Sequence, residues 1–271
     1  MTLLRTASPA SSSAETEKPS LNRIRKIVLV GHDNEGSARL FEMITSAFPE
    51  CEFLLVESKG LYYKKSFLAS VYKLLKEASW IFVFVRFLEL AKHKIFGDSL
   101  KQLAHKKNIK LIQTHDINSD KTIQQILGFS PDLLVSLFTM QIYKSKVINL
   151  PTFGAISSHP SILPAYRGLE VFFWVLANNE KETGVSVFEL SERIDAGRVI
   201  WQKGVPISQG ATVSSLYKLI TEIGGCGLVD AIRCIDTGTT TTFTQTLPES
   251  YFHMPDRASV LRFLKSGRKF F

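Results

Sequence analysis

The 271-residue sequence contains little cysteine, and its cysteines form none of the patterns that hold a metal or a disulfide framework. Cys51, Cys226 and Cys234 are odd in number, form no Cys-x-x-Cys pair and have no closely spaced histidine partner. Neither a zinc knuckle nor a set of disulfides is readable, so no metal site is predicted. A reducing compartment is the simpler interpretation, and we expect a cytoplasmic location.

Long apolar runs are also missing. The run at 80–85, like every other in the sequence, is far shorter than the roughly 20 residues that a membrane-spanning helix needs. Residues 1–22 are rich in Ser, Ala and Thr and lack the apolar block of a secretory signal. We expect this segment to be a disordered leader, with organelle targeting as the alternative.

The sequence has no nucleotide-binding glycine loop in its usual form. Residues 31–36 read G-x-x-x-x-G but lack the Lys and Ser/Thr that follow in a phosphate-binding loop. Asp33 and Glu35 would also lie at the helix N-terminus, where a phosphate would bind. The pattern therefore favours a structural turn.

What is present is an ordinary globular composition, 45% hydrophobic and 21% charged, arranged as strands that alternate with helices. This rhythm predicts an α/β fold, a Rossmann-like open and mostly parallel sheet with helices on both faces. Ligands of such sheets bind at the carboxyl ends of the strands. The first-half strands are expected at 26–31, 52–57, 108–113 and 132–137.

The positive charge is concentrated in one segment. The chain carries 33 Lys and Arg against 25 Asp and Glu, and residues 61–110 alone hold eleven bases against three acids. We interpret 61–97, which mixes aromatic residues with Lys, as a pair of helices inserted into the fold. They either expose an ordinary solvated face or form a platform for a membrane surface or an anionic substrate.

The domain prediction assigns 23–207 to one catalytic domain and 208–271 to a C-terminal helix, strand and basic tail packed on it. The helix is expected at 213–235, loosened at its glycines 224, 225 and 227, and the strand at 239–246.

The strongest candidate for chemistry is His159, which comes directly off a predicted strand at 153–158. Ser157 lies two residues earlier and shares its face, because side chains alternate along a strand. Asp195 lies in a later loop between two predicted strands, so it can return to the same cleft. A histidine with a carboxylate partner is a base whose orientation is controlled.

At these residues the sequence resembles the folate-dependent formyltransferases, the group that includes the glycinamide ribonucleotide, methionyl-tRNA and nucleotide-sugar N-formyltransferases. The family pattern is Asn-x-His-x-Ser-x-Leu-Pro-x-Tyr/Trp-Arg-Gly, then Glu-Thr-Gly-Val, then Asp-x-Gly. The resemblance covers about 24–207, with the insert poorly matched. The matching residues are His159, Ser161, Leu163, Pro164, Tyr166, Arg167, Gly168, Glu182, Thr183, Gly184, Val185, Asp195 and Gly197.

This resemblance implies formyl transfer from 10-formyltetrahydrofolate to a primary amine. It implies that His159 is the general acid/base and that Asp195 orients it and supports its charged form. The residues implied to border the folate are Met140, Gln141, Ile142, Ile194 and Asp195. Those implied to bind the acceptor are Ser161, Tyr166, Arg167 and Gly168.

Ser157 departs from the family pattern, in which an Asn helps to hold the formyl oxygen. Serine has one hydroxyl donor on a shorter stem, and losing one such donor typically costs about a hundredfold to a thousandfold in rate. Three outcomes are open. Ser157 holds the formyl oxygen through a water, another residue supplies the donor, or the protein is a weakened or inactive folate-binding relative.

The acceptor is open from the sequence. Methionyl-tRNA formyltransferases carry a further C-terminal barrel, for which the 64 residues after 207 are too few, so tRNA is less favoured. An amino-sugar conjugate, nucleotide- or lipid-linked, fits better by exclusion. The alternatives are a 10-formyltetrahydrofolate hydrolase and the inactive relative.

Overall fold

A computed structural model describes residues 23–59, 78–243 and 247–271. The predicted leader, residue 60 and residues 61–77 of the predicted insert lie outside this described part. Its helices are α1 (Glu35–Ala47), α2 (Trp80–Phe96), α3 (Leu100–Lys106), α4 (Asp120–Leu127), α5 (Ser145–Ile148), α6 (Val171–Ala177), α7 (Val213–Thr237) and α8 (Arg257–Lys265). Its strands are β1 (Lys26–His32), β2 (Glu52–Ser58), β3 (Lys110–Thr114), β4 (Leu133–Leu137), β5 (Ala155–His159), β6 (Arg167–Gly168), β7 (Glu182–Glu189), β8 (Val199–Pro206) and β9 (Tyr251–Phe252).

Seven strands form one sheet in the order β3-β2-β1-β4-β5-β7-β8. The first five are parallel, whereas β7 and β8 pair antiparallel. The strand order reverses between β1 and β4, which is where ligands of open α/β sheets bind. The predicted α/β fold class is confirmed.

Strand β1 shows why the sheet is buried on both faces. Ile27 and Leu29 point to one face and Val28 and Val30 to the other, and all four are fully buried. The first pair packs with residues of α1, α3 and α7, and the second with residues of α4 and α5. An uninterrupted apolar run is therefore what this position in the sheet requires.

A second apolar cluster joins α2, α6, α8 and the first turns of α7. Phe173 of α6 lies at its centre, with ring centroids 5.9 Å from Phe82 and 4.9 Å from Phe263. These edge-on and tilted contacts attach α2 to the C-terminal helix α8. Among the helices of the described residues, none is both long and apolar enough to cross a membrane.

The turn after β1 is structural, as the sequence predicted. The Asn34 side chain caps α1 by accepting a hydrogen bond from the Ser37 amide at 2.9 Å. The Gly36 amide donates to the Tyr217 hydroxyl at 2.7 Å. Asp33 accepts a hydrogen bond from the Leu100 amide at 2.9 Å. Protein groups thus use the amides that a phosphate would need.

Helix α7 is confirmed as a long helix, but the expectation that its glycines loosen it is wrong. It runs unbroken through Gly224, Gly225 and Gly227, all of them buried. The glycines instead allow close packing. A β-carbon at Gly225 would lie 2.3 Å from the Met43 sulfur, and one at Gly227 would lie 2.6 Å from the Trp201 ring.

The strand expected at 239–246 is wrong for 239–243, which form no strand; 244–246 lie outside the described residues. The Phe243 amide makes a single hydrogen bond to the Val199 carbonyl at 3.0 Å. The C-terminal strand is instead the two-residue β9, which pairs parallel with β6. Its pairing residue Arg167 is far away in sequence, so no local pattern indicates it.

We predict that Gly227→Ala lowers the free energy of unfolding by about 1–3 kcal/mol, because the new methyl group overlaps the rigid Trp201 ring. The matched control is Gly224→Ala in the same helix, where a β-carbon meets only ordinary contacts of 3.5 Å or more. That change should be neutral or stabilise by up to about 1 kcal/mol through helix propensity. Urea unfolding measures both, and equal stabilities would contradict the packing argument.

Candidate active site

His159 is the last residue of β5, and its side chain is buried. Its Nε2 lies 2.7 Å from the Tyr166 carbonyl oxygen and its Nδ1 lies 3.4 Å from Asp195 Oδ2. A carbonyl only accepts hydrogen bonds, so Nε2 carries a proton. Both ring nitrogens thus face acceptor oxygens, which hold the ring in one orientation.

The order and direction of the strands do not by themselves place Asp195 beside His159. Because β7 is antiparallel, its end at Glu189 pairs with Ile156 near the start of β5, not with His159. The loop between β7 and β8 then turns back. Asp195 has a φ of +48°, a left-handed conformation that Asp tolerates better than most residues. Its Oδ2 accepts a hydrogen bond from the Gly168 amide at 2.9 Å.

Gly197 permits this reversal. A β-carbon at position 197 would lie 1.6 Å from the Glu189 carbonyl oxygen, so only glycine allows the loop to approach the end of β7 so closely. The Asp-x-Gly spacing therefore has a steric basis.

The segment 161–168 joins β5 to β6 and uses most of its own polar groups. Ser161 donates its hydroxyl to the Ala165 carbonyl at 2.6 Å. Buried Arg167 donates to the Ile194 carbonyl through Nε at 2.9 Å and forms an ion pair with Glu249. The side chains of Ser161 and Arg167, implied to bind the acceptor, are thus occupied in holding the site together.

The Tyr166 side chain also makes contacts that hold the site together. Its hydroxyl donates to Glu180 at 2.5 Å, and its ring stacks on Phe252 with centroids 4.8 Å apart. Burial, reinforced by Glu180, raises the pKa of Tyr166 to about 12. Its backbone is left-handed, with φ +58°, which directs its carbonyl toward His159.

Ser157 lies on β5 beside β4, with its side chain buried. Its hydroxyl donates to the Ser136 carbonyl at 3.3 Å. The single proton of this hydroxyl is therefore committed to the neighbouring strand.

The residues implied to border the folate divide into two kinds. Gln141 is buried, and its amide donates to the Ser58 hydroxyl at 2.9 Å and to the His115 carbonyl at 3.0 Å. Met140, Ile142 and Ile194 are instead among the exposed large apolar side chains. Gln141 thus anchors the loop after β4, while its neighbours present apolar surface.

Sequence reasoning missed the segment 249–253, which completes the site from the C-terminal end. Ser250 accepts a hydrogen bond from the Tyr166 amide at 2.8 Å, and Tyr251 pairs with Arg167 across the β6–β9 ladder. No short-range signal indicates these contacts. The one usable signal was Glu249, since a buried Arg167 needs a counter-ion.

Tyr251 packs directly on the glycine that holds Asp195. A β-carbon at Gly168 would lie 3.0 Å from the Tyr251 ring, and Gly168 has a φ of +98°. Burial first, and then the negative charge of Asp195, raise the pKa of Tyr251. The Tyr251 ring is exposed, lies 4.9 Å from that of His253, and has no hydroxyl partner within the described part of the chain.

Three known proteins show what this chain is similar to. A methionyl-tRNA formyltransferase from Halothermothrix orenii is 35% identical over 146 residues, which cover 54% of this chain and 46% of that protein. The sugar 3N-formyl transferase WlaRD, solved in the presence of dTDP and 5-N-formyl-THF, has a TM-score of 0.56 at 22% identity and covers 87% of this chain and 70% of its own. Glycinamide ribonucleotide transformylase 1 from Symbiobacterium toebii has a TM-score of 0.56 at 16% identity and covers 86% and 94%.

The match to the Halothermothrix protein thus spans about half of that relative's length. The two solved structures share the fold at low identity. The family described as Formyl transferase matches residues 66–232, which is more than half of the sequence. This match includes His159, the segment 161–168 (the motif loop) and the Asp195 loop, and the chain belongs to the formyl transferase family.

Proposed function

We propose that this protein transfers a formyl group from 10-formyltetrahydrofolate to a primary amine, with His159 and Asp195 as the catalytic pair. The observation that carries the proposal is the position of the His159 ring between the Asp195 carboxylate, at 3.4 Å, and the Tyr166 carbonyl, at 2.7 Å. Membership of the formyl transferase family supports it.

The reaction needs a group that accepts and returns a proton. Formyl transfer removes one proton from the acceptor amine and adds one to the nitrogen of the released tetrahydrofolate. His159 suits this task because an imidazole can take up and release a proton, and Asp195 at 3.4 Å fixes the orientation of its ring. Its Nε2 proton is donated to Tyr166, so the acceptor has to replace that carbonyl before it can exchange a proton with His159.

The residues near the site fit a folate. Met140 and Ile142 flank the anchored Gln141, and these two side chains are 36% and 47% exposed. Together with Ile194 they offer apolar surface to a flat aromatic ring, which is how small-molecule sites are usually lined. WlaRD, which shares this fold, was solved in the presence of 5-N-formyl-THF, and this supports a folate here as well. When bound, 10-formyltetrahydrofolate supplies the formyl group.

For the acceptor we propose an amino-sugar conjugate. The exposed rings of Tyr251 and His253 stand beside the Gly168 amide that holds Asp195, and the free Tyr251 hydroxyl can donate to a sugar oxygen. Aromatic rings bind the apolar face of another ring while polar tips read its hydroxyls. The sugar 3N-formyl transferase with the same fold supports this choice.

We predict that His159→Gln lowers kcat by about a hundredfold to ten-thousandfold, the range that general acid–base catalysis contributes. The assay is mass spectrometry of amines incubated with 10-formyltetrahydrofolate: amino-sugar nucleotides, methionyl-tRNA and glycinamide ribonucleotide. The matched control is His105→Gln on α3, an exposed histidine remote from the motif loop in sequence.

Three results would contradict the proposal in different ways. Formylated methionyl-tRNA without any formylated sugar would replace the acceptor class. Release of formate without an acceptor, lost in His159→Gln, would indicate a hydrolase. Folate binding with no turnover of any compound would indicate an inactive relative.

We predict that Ser157→Asn raises kcat by about a hundredfold or more, because an amide has two N–H donors. One can keep the bond to the Ser136 carbonyl while the other faces the formyl oxygen. Ser157→Ala should stay within a few-fold of the natural protein, since the serine proton is already committed to Ser136. A large loss in the alanine variant would show instead that the serine hydroxyl is itself the donor.

We predict that Tyr251→Ala raises the KM for the acceptor about threefold to tenfold, the effect of losing one aromatic contact. The kcat and the KM for the folate should change little. Phe243→Ala is the control, because its aromatic ring is similarly exposed at 37%. A fall in kcat with unchanged acceptor KM would mean that Tyr251 only supports the Asp195 loop.

A further inference from the structure

The outward face of α2 is apolar, which is the reverse of an ordinary surface helix. Phe82, Val85 and His93 are its buried residues. On the opposite side, residues spaced at i, i+4, i+7, i+8 and i+15 form one continuous stripe. This α2 outer face consists of Trp80, Phe84, Phe87, Leu88 and Ile95, which are 66%, 55%, 63%, 41% and 70% exposed.

The helix cannot simply roll over to hide this stripe, because its inner face is held by specific contacts. Phe82 packs against Phe173, with centroids 5.9 Å apart, and Arg86 lies over the Phe82 ring. Arg86 is also paired with Glu89 and with Glu170. The outward direction of the stripe is thus set by buried groups on the other side.

Exposed apolar side chains are also concentrated on α2. Seven of the eighteen exposed large apolar side chains in the described part of the chain belong to this one helix of 17 residues. Single exposed apolar residues are normal on a protein surface, whereas a contiguous patch marks an interaction site.

We propose that the α2 outer face docks on the surface of an anionic phospholipid bilayer, with the helix lying in the plane of the headgroups. Its aromatic residues, Trp80, Phe84 and Phe87, are the type that partitions into the membrane interface. Lys92 and Lys94 are exposed on the same helix, and their positive charges complement anionic headgroups.

The charge balance favours lipid over an acidic or neutral protein groove. The acid of this helix, Glu89, is already paired with Arg86, so it does not oppose the two lysines. Residues 61–110 as a whole carry eleven bases against three acids. A basic, aromatic, amphipathic helix with this asymmetry matches interfacial anchors.

The docking face is connected to the candidate active site. Glu170, the partner of Arg86, lies two residues after Gly168, whose amide holds Asp195. A bilayer on the α2 outer face would therefore lie across the helix from this segment, about one helix diameter, roughly 10 Å, away. If the proposed formyl transfer is correct, this position suits an amine acceptor carried on a lipid; docking itself does not depend on that activity.

The test is sedimentation with vesicles of phosphatidylcholine, alone or with phosphatidylglycerol added. We expect binding to the anionic vesicles, weakened by salt, and a blue shift of tryptophan emission on binding. Trp80→Phe should remove most of that shift while largely retaining binding, because the two other described tryptophans, Trp174 and Trp201, are half-buried.

Two double variants measure the two contributions. Phe84→Ser with Phe87→Ser should weaken binding by roughly a hundredfold, and Lys92→Gln with Lys94→Gln by about tenfold to thirtyfold. Leu261→Ser with Leu264→Ser on α8, at 39% and 40% exposure, is the control and should bind as the natural protein does. Circular dichroism checks that every variant is folded.

The proposal is overturned if the natural protein does not bind anionic vesicles at low salt, or if the α8 variant loses as much binding as the α2 variants. Light scattering that shows a dimer dissociated by the Phe84 and Phe87 changes, without vesicle binding, would assign the face to a second copy. Because no formyl transfer is measured, failure here leaves the proposed reaction untouched.

Discussion

The buried guanidinium of Arg167 connects the three segments from which the candidate site is built. A buried charge is costly unless it is paired and hydrogen-bonded, so its partners have to be in place in the folded protein. Those partners are the Ile194 carbonyl and the Glu249 carboxylate. Holding Ile194 positions Asp195, the next residue, against His159. Holding Glu249 brings Tyr251 onto the motif loop. One cation thus organises the proposed catalytic pair and the surface beside it.

Backbone strain accumulates around the same cation. Tyr166, Glu170 and Asp195 all have left-handed backbones, with φ of +58°, +57° and +48°. Such conformations cost of order 1 kcal/mol or more each and persist where surrounding contacts determine them. Here the Tyr166 carbonyl bonds His159, the Asp195 carboxylate bonds the Gly168 amide, and Glu170 pairs with Arg86. Each strained residue directs one group toward the histidine or toward α2.

The candidate site is built by two groups of segments. Strand β5 and the Asp195 loop supply the proposed catalytic pair, His159 and Asp195. They lie in the segment 66–232 that matches the formyl transferase family, and so does α2. Helix α2 and the segment 249–253 approach the motif loop from outside, through the Arg86–Glu170 pair and the stacking of Phe252 on Tyr166. We propose the chemistry for the first group and the choice and delivery of the acceptor for the second.

The sequence by itself determined the sheet, the long helix and the order in which Ser157, His159 and Asp195 occur. Apolar runs, helical periodicity and motif spacing are local features of the sequence and depend on no long-range contact. It did not indicate that β7 is antiparallel, that Glu249 neutralises Arg167 from 82 residues away, or that the Ser157 proton is used by Ser136. The sequence also did not show that the α2 outer face is exposed, because an apolar helix face has the same sequence pattern whether it is buried or exposed. Only tertiary packing decides which partner meets each buried polar group and which apolar face stays uncovered.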